Sequence, residues 1–251
     1  MGVTQRLYLQ EDDAFEAEAT VVAVRESDIS CDRTCFYPGG GGQPADEGSL
    51  IFEKGEKLAI VSAFADPDGI VWHQSNPSPP AGIVGEKVKL VVNRERRLGL
   101  SRYHTVLHVL NAIALRDYGA WITGAQIGTD YSRIDFKVAR FSPAVCAELE
   151  AKVNAVLAED HRIRAYYLSE NEFNKRADLL RTLEVKPPVA EGRVRVVEIE
   201  GFDAQACGGT HAASTSELGQ FSIFRTENKG RINKRLYVRL ERSAGNEASS
   251  G

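Results

Sequence analysis

Up to about residue 92, apolar and polar residues alternate in short runs. RLYLQ, FEAEATVVAVR, GSLIFE, KLAIVSAF, GIVWHQ and EKVKLVV each carry the two-residue period of a strand with one buried face. Turn-forming breaks (Asp-Asp, Glu-Ser-Asp, Gly-Glu, Asp-Pro-Asp-Gly, Asn-Pro-Ser-Pro-Pro) separate them. Residues 1–92 are therefore expected to form a small, mostly antiparallel β-barrel or sandwich. From Asn93 the period lengthens: Val106, Leu107, Val109, Leu110, Ile113 and Ala114 recur at helical spacing as far as Tyr118, and Gly119 offers a stop. Beyond this long, largely buried helix, WITGAQIG and RIDFKVA read as strands. A second helix is capped by Ser142, with Pro143 in its first turn and Val145, Leu149, Val153 and Leu157 on one face. IRAYYLS is a further strand, and Ser169 with Glu172 opens a capping-box helix to about Leu180. Lys186-Pro187-Pro188 turns the chain into the strand VRVVEIE, and FSIFRTEN and NKRLYVRLE pair as a closing hairpin. The predicted fold is α+β: an N-terminal β-barrel, then an α/β two-layer domain with a mainly antiparallel sheet over residues 93–243. The small polar residues 244–251 read as a disordered tail.

Composition narrows the class. With 43% hydrophobic and 26% charged residues the chain reads as an ordinary globular protein. It shows no bilayer-length apolar run and no secretory signal, so a cytoplasmic location is expected. A formal net charge of −4 excludes coating nucleic acid by bulk electrostatics. Local basic clusters remain, at Arg94, Arg96, Arg97 and Arg102 and at Arg225, Lys229, Arg231, Lys234, Arg235 and Arg239; they suggest a phosphate-bearing partner. The four cysteines, Cys31, Cys35, Cys146 and Cys207, are too few and scattered for a disulfide framework, which turns attention to metal or thiol chemistry.

His104 and His108 stand four apart on the long helix, one turn from each other on one face. Cys207 and His211, in ACGGTH, repeat that spacing in a glycine-containing loop after a strand. Two such pairs of borderline-soft ligands, brought together by the fold, suit one Zn²⁺ per chain. Asp203, four residues before Cys207, could orient a ligand from behind. Of the remaining histidines, His73 and His161 read as surface or half-buried residues. Cys31 and Cys35 lack partners for a second zinc site, and Cys146 reads as core. The four glycines 39–42 have neither a Lys-Ser/Thr after them nor a helix to open, so a phosphate-cradling loop is excluded. A hairpin tip, or a loop whose backbone approaches another surface, remains.

HTVLH, the downstream GAQIG and SRIDF, GFDAQACGGTH and ELGQFSIFRTENKG together resemble the editing domain of alanyl-tRNA synthetases and the freestanding AlaX proteins; TCFYPGGGGQPADEG resembles the glycine-rich stretch of the barrel that precedes it. The resemblance runs from about Thr34 to Arg242 and is nearest to the medium-sized AlaX group; the residues before it are too few for an aminoacylation domain. The family motif usually has a small residue where Val106 stands. What the resemblance implies is a zinc-dependent aminoacyl-tRNA deacylase that removes serine from mischarged tRNA(Ala), with glycine as the second candidate. Gln126, which matches a glutamine of the family's pocket, would test the serine hydroxyl, with Thr105 and Thr129 the next candidates. Gly208, Gly209 and Thr210 would complete the site around the ester. Gly40, Gly41, Gly42 and Gln43, leaning over the site or the acceptor end, with phosphate contacts from Arg94 and Arg231, would bind the tRNA. The alternatives are editing of Ser-tRNA(Thr) and a non-catalytic module that uses structural zinc and only holds tRNA.

Overall fold

The computed structural model describes residues 2–10, 13–181, 189–190 and 192–241; the expected turn at Lys186-Pro187-Pro188 and the expected tail at 244–251 lie outside them. The chain divides into two compact units, Met1–Gly99 and Leu100–Gly251.

In the first unit the alternating runs become β2 (Glu16–Arg25), β5 (Gly48–Phe52), β6 (Lys57–Ala65), β7 (Val71–Ser75) and β8 (Lys87–Val92). Two short strands complete the set to this point, β3 (Asp28–Cys31) and β4 (Arg33–Thr34), and β1 is Gln5–Arg6. The barrel closes in the order β2-β3-β7-β6-β5-β8, with every pair antiparallel, so that no edge is left open. Inward residues of alternate positions (Ala19, Val21, Ile29, Leu50, Ile60, Val88, Leu90) fill it. Two sequence expectations change here. RLYLQ is no strand: only Gln5–Arg6 is extended, pairing in parallel with β4, and Leu7–Leu9 turns as a 3-10 helix. The strand Asp28–Cys31 gave no signal, because Ile29, Ser30 and Cys31 are all buried and polarity therefore does not alternate.

His73 also departs from expectation, being fully buried. Its Nδ1 lies 2.9 Å from the Ile29 carbonyl, which can only accept, so Nδ1 carries the proton. Nε2 then accepts from the Thr34 hydroxyl at 2.7 Å, and burial pushes the ring's pKa down from 6.5 to about 4. Between those values the unfolded chain binds a proton that the folded one refuses. The unit should thus lose stability as pH falls from about 6.5 towards 4, by about 1.4 kcal/mol per pH unit, and gain nothing above 6.5. Nitrogen NMR of the ring should show Nδ1–H and a bare Nε2 at pH 6; a midpoint near 6.5 would refute the assignment. Cys31 and Cys35 are free thiols packed in the barrel core, and burial there pushes both up to about 12.

The glycine run is a tight turn. Gly40 and Gln43 exchange backbone hydrogen bonds at 3.0 and 2.9 Å around Gly41 and Gly42, whose φ values of +58° and +86° are those a type I′ turn requires. Gly39 and Gly40 are also at positive φ, +82° and +133°, so each of the four positions needs glycine for the backbone alone. Gln43, expected to offer its side chain to RNA, is instead buried, 2% exposed. Behind the turn Asp46 accepts from the Tyr37 N–H at 2.6 Å and from Arg97 Nε at 2.8 Å, and Arg97 also donates to the Cys35 carbonyl at 2.7 Å. Both ends of this ion pair are excluded from solvent.

Helix α1 (Arg94–Tyr118) starts where the Asn93 side chain accepts the Arg96 N–H at 3.1 Å, and it stops at Gly119, φ +60°. It is followed by β9 (Trp121–Gln126), β10 (Ser132–Lys137), α2 (Pro143–Ala158), β11 (Ile163–Ser169), α3 (Glu170–Phe173), β12 (Val189–Ala190), β13 (Arg193–Ile199), β14 (Asp203–Ala206), β15 (Gln220–Asn228) and β16 (Asn233–Glu241). One antiparallel sheet runs β15-β16-β10-β9; the other is β11-β13-β12 with β14 also on β13. Leu107, Leu110 and Ile113 of α1 and Leu149 and Val153 of α2 share one core with Ile134, Phe136, Leu236 and Val238 of the first sheet and Val197 and Ile199 of the second. This is the α+β arrangement the periodicity predicts. The Ser169–Glu172 capping box forms, but its helix ends after Phe173, well short of Leu180, and only a 3-10 turn at Ala177–Leu179 follows.

Candidate metal centre

Two elements of the second unit supply the centre. Val106, Val109 and Leu110 of α1 are buried in the core, which fixes the helix's rotation and aims His104 and His108 together at β14 and the loop after it. That loop carries Cys207 and His211. The four ligand atoms lie within 4.8 Å of one another, and the three imidazole centroids are 4.4–5.0 Å apart. Cys207 Sγ stands 3.4 Å from Nε2 of both His104 and His211. A tetrahedral ion with bonds of about 2.0–2.1 Å to nitrogen and 2.3 Å to sulfur would hold such atoms about 3.5 Å apart, so the donors fit zinc in kind and spacing.

Proton bookkeeping supports the fit. The Thr105 hydroxyl donates to the Ser101 carbonyl at 2.8 Å, which uses its one hydrogen. It accepts from the Ala212 N–H at 3.0 Å, so the 3.1 Å contact with His211 must be Nδ1–H donating to it. Nε2 of His211 therefore presents a bare lone pair to the centre. Burial is the first cause that depresses the pKa of all three imidazoles, with the Arg195 guanidinium adding to it; His104 is pushed down to about 3, and His108 and His211 lie well below the usual range. Neutral rings are what a metal needs.

The surroundings hold the ligands from behind. Arg195 on β13, 5% exposed, donates to the carbonyls of Cys207 and Gly209 at 3.2 and 2.8 Å and so ties down both ends of the turn. The Gly209 N–H points at Cys207 Sγ at 3.4 Å, and the Thr210 hydroxyl meets that of Ser101 at 2.7 Å. Gln205, also buried, links β14 to α1: its amide donates to the His108 carbonyl at 3.0 Å and to Asp203 at 2.7 Å, and accepts from Asn111 at 3.0 Å. Asp203, paired with Arg181 at 2.5 Å, thus acts on the ligand helix through Gln205 and the backbone; burial raises its carboxyl pKa. Arg195, Gln205 and Asn111 escaped the sequence reading because isolated polar residues in a strand or helix have no spacing to betray them.

Other expected residues lie elsewhere. Thr105 and Thr210 are buried with their hydroxyls engaged; Gly208 is half-buried and Gly209 buried. Gln126 ends β9 opposite Arg133, exposed. Because Ile134, the next residue of β10, points into the core, Gln126 and Arg133 leave the sheet on the other face. Thr129 is exposed in the loop after β9. The basic clusters are thinner than the sequence suggests. Arg97 is consumed by Asp46, Arg96 by Glu47 at 2.9 Å, Arg102 by the Leu218 carbonyl at 2.8 Å, Arg235 by Asp135 at 2.6 Å and Lys234 by the Gly230 carbonyl at 2.7 Å. Arg94 and Arg231 remain exposed, Arg94 lying over the Phe15 ring at 5.0 Å.

Known proteins share this pattern. A family model described as "Threonyl and Alanyl tRNA synthetase second additional domain" matches residues 194–237, and one for "tRNA synthetases class II (A)" matches residues 4–96. The alanyl-tRNA editing protein AlaX-M of Methanosarcina mazei is 38% identical over 244 residues, covering 95% of this chain and 97% of that protein. The chain belongs to the AlaX-M family. The AlaX-M protein of Saccharolobus solfataricus is 33% identical and covered along its whole length. The alanine–tRNA ligase of Thermofilum pendens is 39% identical over 224 residues, but only 24% of it is matched. The AlaX-M likeness thus takes in both units, and the ligase shares the same region within a much longer protein. No helix among the described residues is long and apolar enough to cross a membrane.

Proposed function

We propose that this AlaX-M protein is a trans-editing aminoacyl-tRNA deacylase, working where tRNA is charged, that removes serine from mischarged tRNA(Ala). The supporting observation is the converging set of His104, His108, Cys207 and His211 in a chain that matches alanyl-tRNA editing proteins over 95% of its length. The reaction adds water across the ester, releasing serine and restoring the terminal ribose hydroxyl of the tRNA. One zinc held by the four side chains would provide either a fixed point for the substrate end or Lewis acidity towards water, and a full set of protein ligands favours the first. The chain's own part is to keep the ligands in place: Thr105 fixes the His211 tautomer, Arg195 pins the Cys207–Gly209 turn, and Gln205 braces His108 against Asp203.

Selectivity has a physical basis. An alanine-sized synthetic pocket cannot strongly reject an amino acid that adds only a hydroxyl, whereas a hydrolytic site that bonds that hydroxyl leaves its own polar group unpaired when alanine enters, a penalty of about 1–3 kcal/mol. The expected result is rapid ester loss from Ser-tRNA(Ala), a slower effect if any on Ala-tRNA(Ala), and no gain over water after zinc is stripped. Equal hydrolysis of both would refute the selectivity, and hydrolysis of neither would leave a zinc module that only holds RNA. Gln126 is not proposed as the hydroxyl reader, because it leaves the sheet on the face away from α1 and its two histidines; Gln126→Ala in the same assay should leave the Ser/Ala ratio unchanged, and a narrowed ratio would return that role to it. The Gly40–Gln43 turn, Arg94 and Arg231 are proposed to meet the tRNA, the turn through its exposed backbone since the Gln43 side chain is buried.

A further inference from the structure

One face of the β15-β16-β10-β9 sheet is covered and the other is not. Asn154 and Glu150 of α2 bond the backbone of Phe221 and Ile223 at 2.8 Å, and α1 packs on Ile134 and Leu236. On the opposite face, register sets Gln126, Arg133, Tyr237 and Arg225 side by side across four strands. The irregularity between Ile223 and Arg225 brings Phe224 out beside them. Tyr131 and Phe224 are 48% and 45% exposed, far more than large aromatic groups usually are. Together with half-buried Tyr237 they form a triangle of rings with centroids 6.1–6.2 Å apart. Arg225 lies over Tyr237 at 4.8 Å and Arg239 over Phe224 at 4.7 Å. Among the described residues, the ion pairs of this region are Arg235–Asp135 at 2.6 Å and Lys229–Glu227 at 3.6 Å, and Glu227 also accepts from the Tyr237 hydroxyl at 2.9 Å; Arg133, Arg225 and Arg239 form no close ion pair, although Glu227 acts on Arg225 at longer range.

We propose that this face is a docking surface for unpaired nucleotides of the RNA substrate: bases stack on Tyr131 and Phe224, and phosphates meet Arg133, Arg225 and Arg239. The inference rests on the tRNA reading above and deepens it by naming where single-stranded nucleotides bind. The chemistry of the patch selects this occupant. Exposed rings offer π-faces to any base, while arginines not held in a close ion pair supply charge to the backbone, the combination by which single strands are held without sequence reading. The patch is positive on a chain whose formal net charge is −4, so its sign is local and not a by-product of composition. A second copy of the chain is disfavoured, because a two-fold interface would set the three arginines against their own images.

The test measures RNA binding directly, by fluorescence anisotropy with uncharged tRNA(Ala) and with a single-stranded oligoadenylate, and follows deacylation separately. The double variant Tyr131→Ala/Phe224→Ala should weaken binding of both by about 10-fold or more, since each lost base–aromatic stack is worth at least a several-fold change in affinity. Arg225→Ala/Arg239→Ala should flatten the salt dependence by about 0.7 in logarithmic slope per lost contact. Zinc content should hold in both, KM for Ser-tRNA(Ala) should rise, and Val61→Ala, exposed on β6, should behave as the unaltered protein. Unchanged affinity in both double variants would overturn the proposal. So would a wild-type dimer that the aromatic variant converts to monomer, since the face would then be a self-interface. Should the unaltered protein hydrolyse no charged tRNA, the deacylase reading falls, and the binding comparison still decides the surface.

Discussion

Cys207→Ala should lower zinc affinity by more than about 100-fold, because loss of a mere supporting hydrogen bond around a metal already costs 10–100-fold. Ester hydrolysis of Ser-tRNA(Ala) should fall in step. Sγ is the only sulfur of the set, and it stands 3.4 Å from two of the imidazole nitrogens, so its removal opens one side of the cluster. The fold should survive: Arg195 still holds the Gly209 carbonyl, Thr210 still meets Ser101, and Cys207 only packs, half-buried, against the edge of a core whose buried members on α1, Leu107, Leu110 and Ile113, are untouched. Metal analysis after gel filtration, circular dichroism and the deacylation rate check the three statements together. A variant that keeps full zinc and activity would take Cys207 out of the centre. Loss of the fold along with the metal would favour a structural zinc.

The second large effect is on stability and lies in the barrel unit. Asp46→Ala leaves the Arg97 guanidinium buried with only the Cys35 carbonyl for company, and should cost about 3–5 kcal/mol, as breaking a buried pair from one side does. Asp46 also loses its hold on the Tyr37 N–H, at the start of the segment that forms the glycine turn. Replacing both partners by apolar residues of similar volume, Asp46→Leu with Arg97→Met, should restore much of the loss, because no charge is then stranded. Denaturant unfolding of the single and double variants measures both. A single variant as stable as the parent would show that water reaches the arginine.

The sequence carried the periodic and paired features far better than the solitary ones. The strands of the barrel, the α1 stop at Gly119, the Ser142 cap and the final hairpin all announce themselves through alternation, helical spacing or a capping side chain. The strand Asp28–Cys31 does not, since all three of its last residues are buried and polarity therefore does not alternate. The paired spacings made His104, His108, Cys207 and His211 legible as a group. Nothing in composition could tell that Arg97 and His73 are buried: each is made tolerable by partners remote in sequence, Asp46 and the Cys35 carbonyl for the one, Thr34 and the Ile29 carbonyl for the other. The charge clusters overstated the available charge for the same reason, as Arg96, Arg97, Arg102 and Arg235 are spent on carboxylates and carbonyls that only the fold brings near. Gln205 and Arg195 were invisible because their work is done on backbone atoms of other elements.

The cysteines give the molecule a built-in reporter. Cys31, Cys35 and Cys146 are sealed in the interior, two of them with thiols pushed up to about 12, and only Cys207 is within reach of solvent. A gentle alkylating agent applied to the native protein therefore meets a single nucleophile, and that nucleophile sits where zinc would hide it. The number of labels taken up per molecule counts vacant centres directly, so the fraction of loaded enzyme in any preparation can be read without unfolding it or turning over substrate.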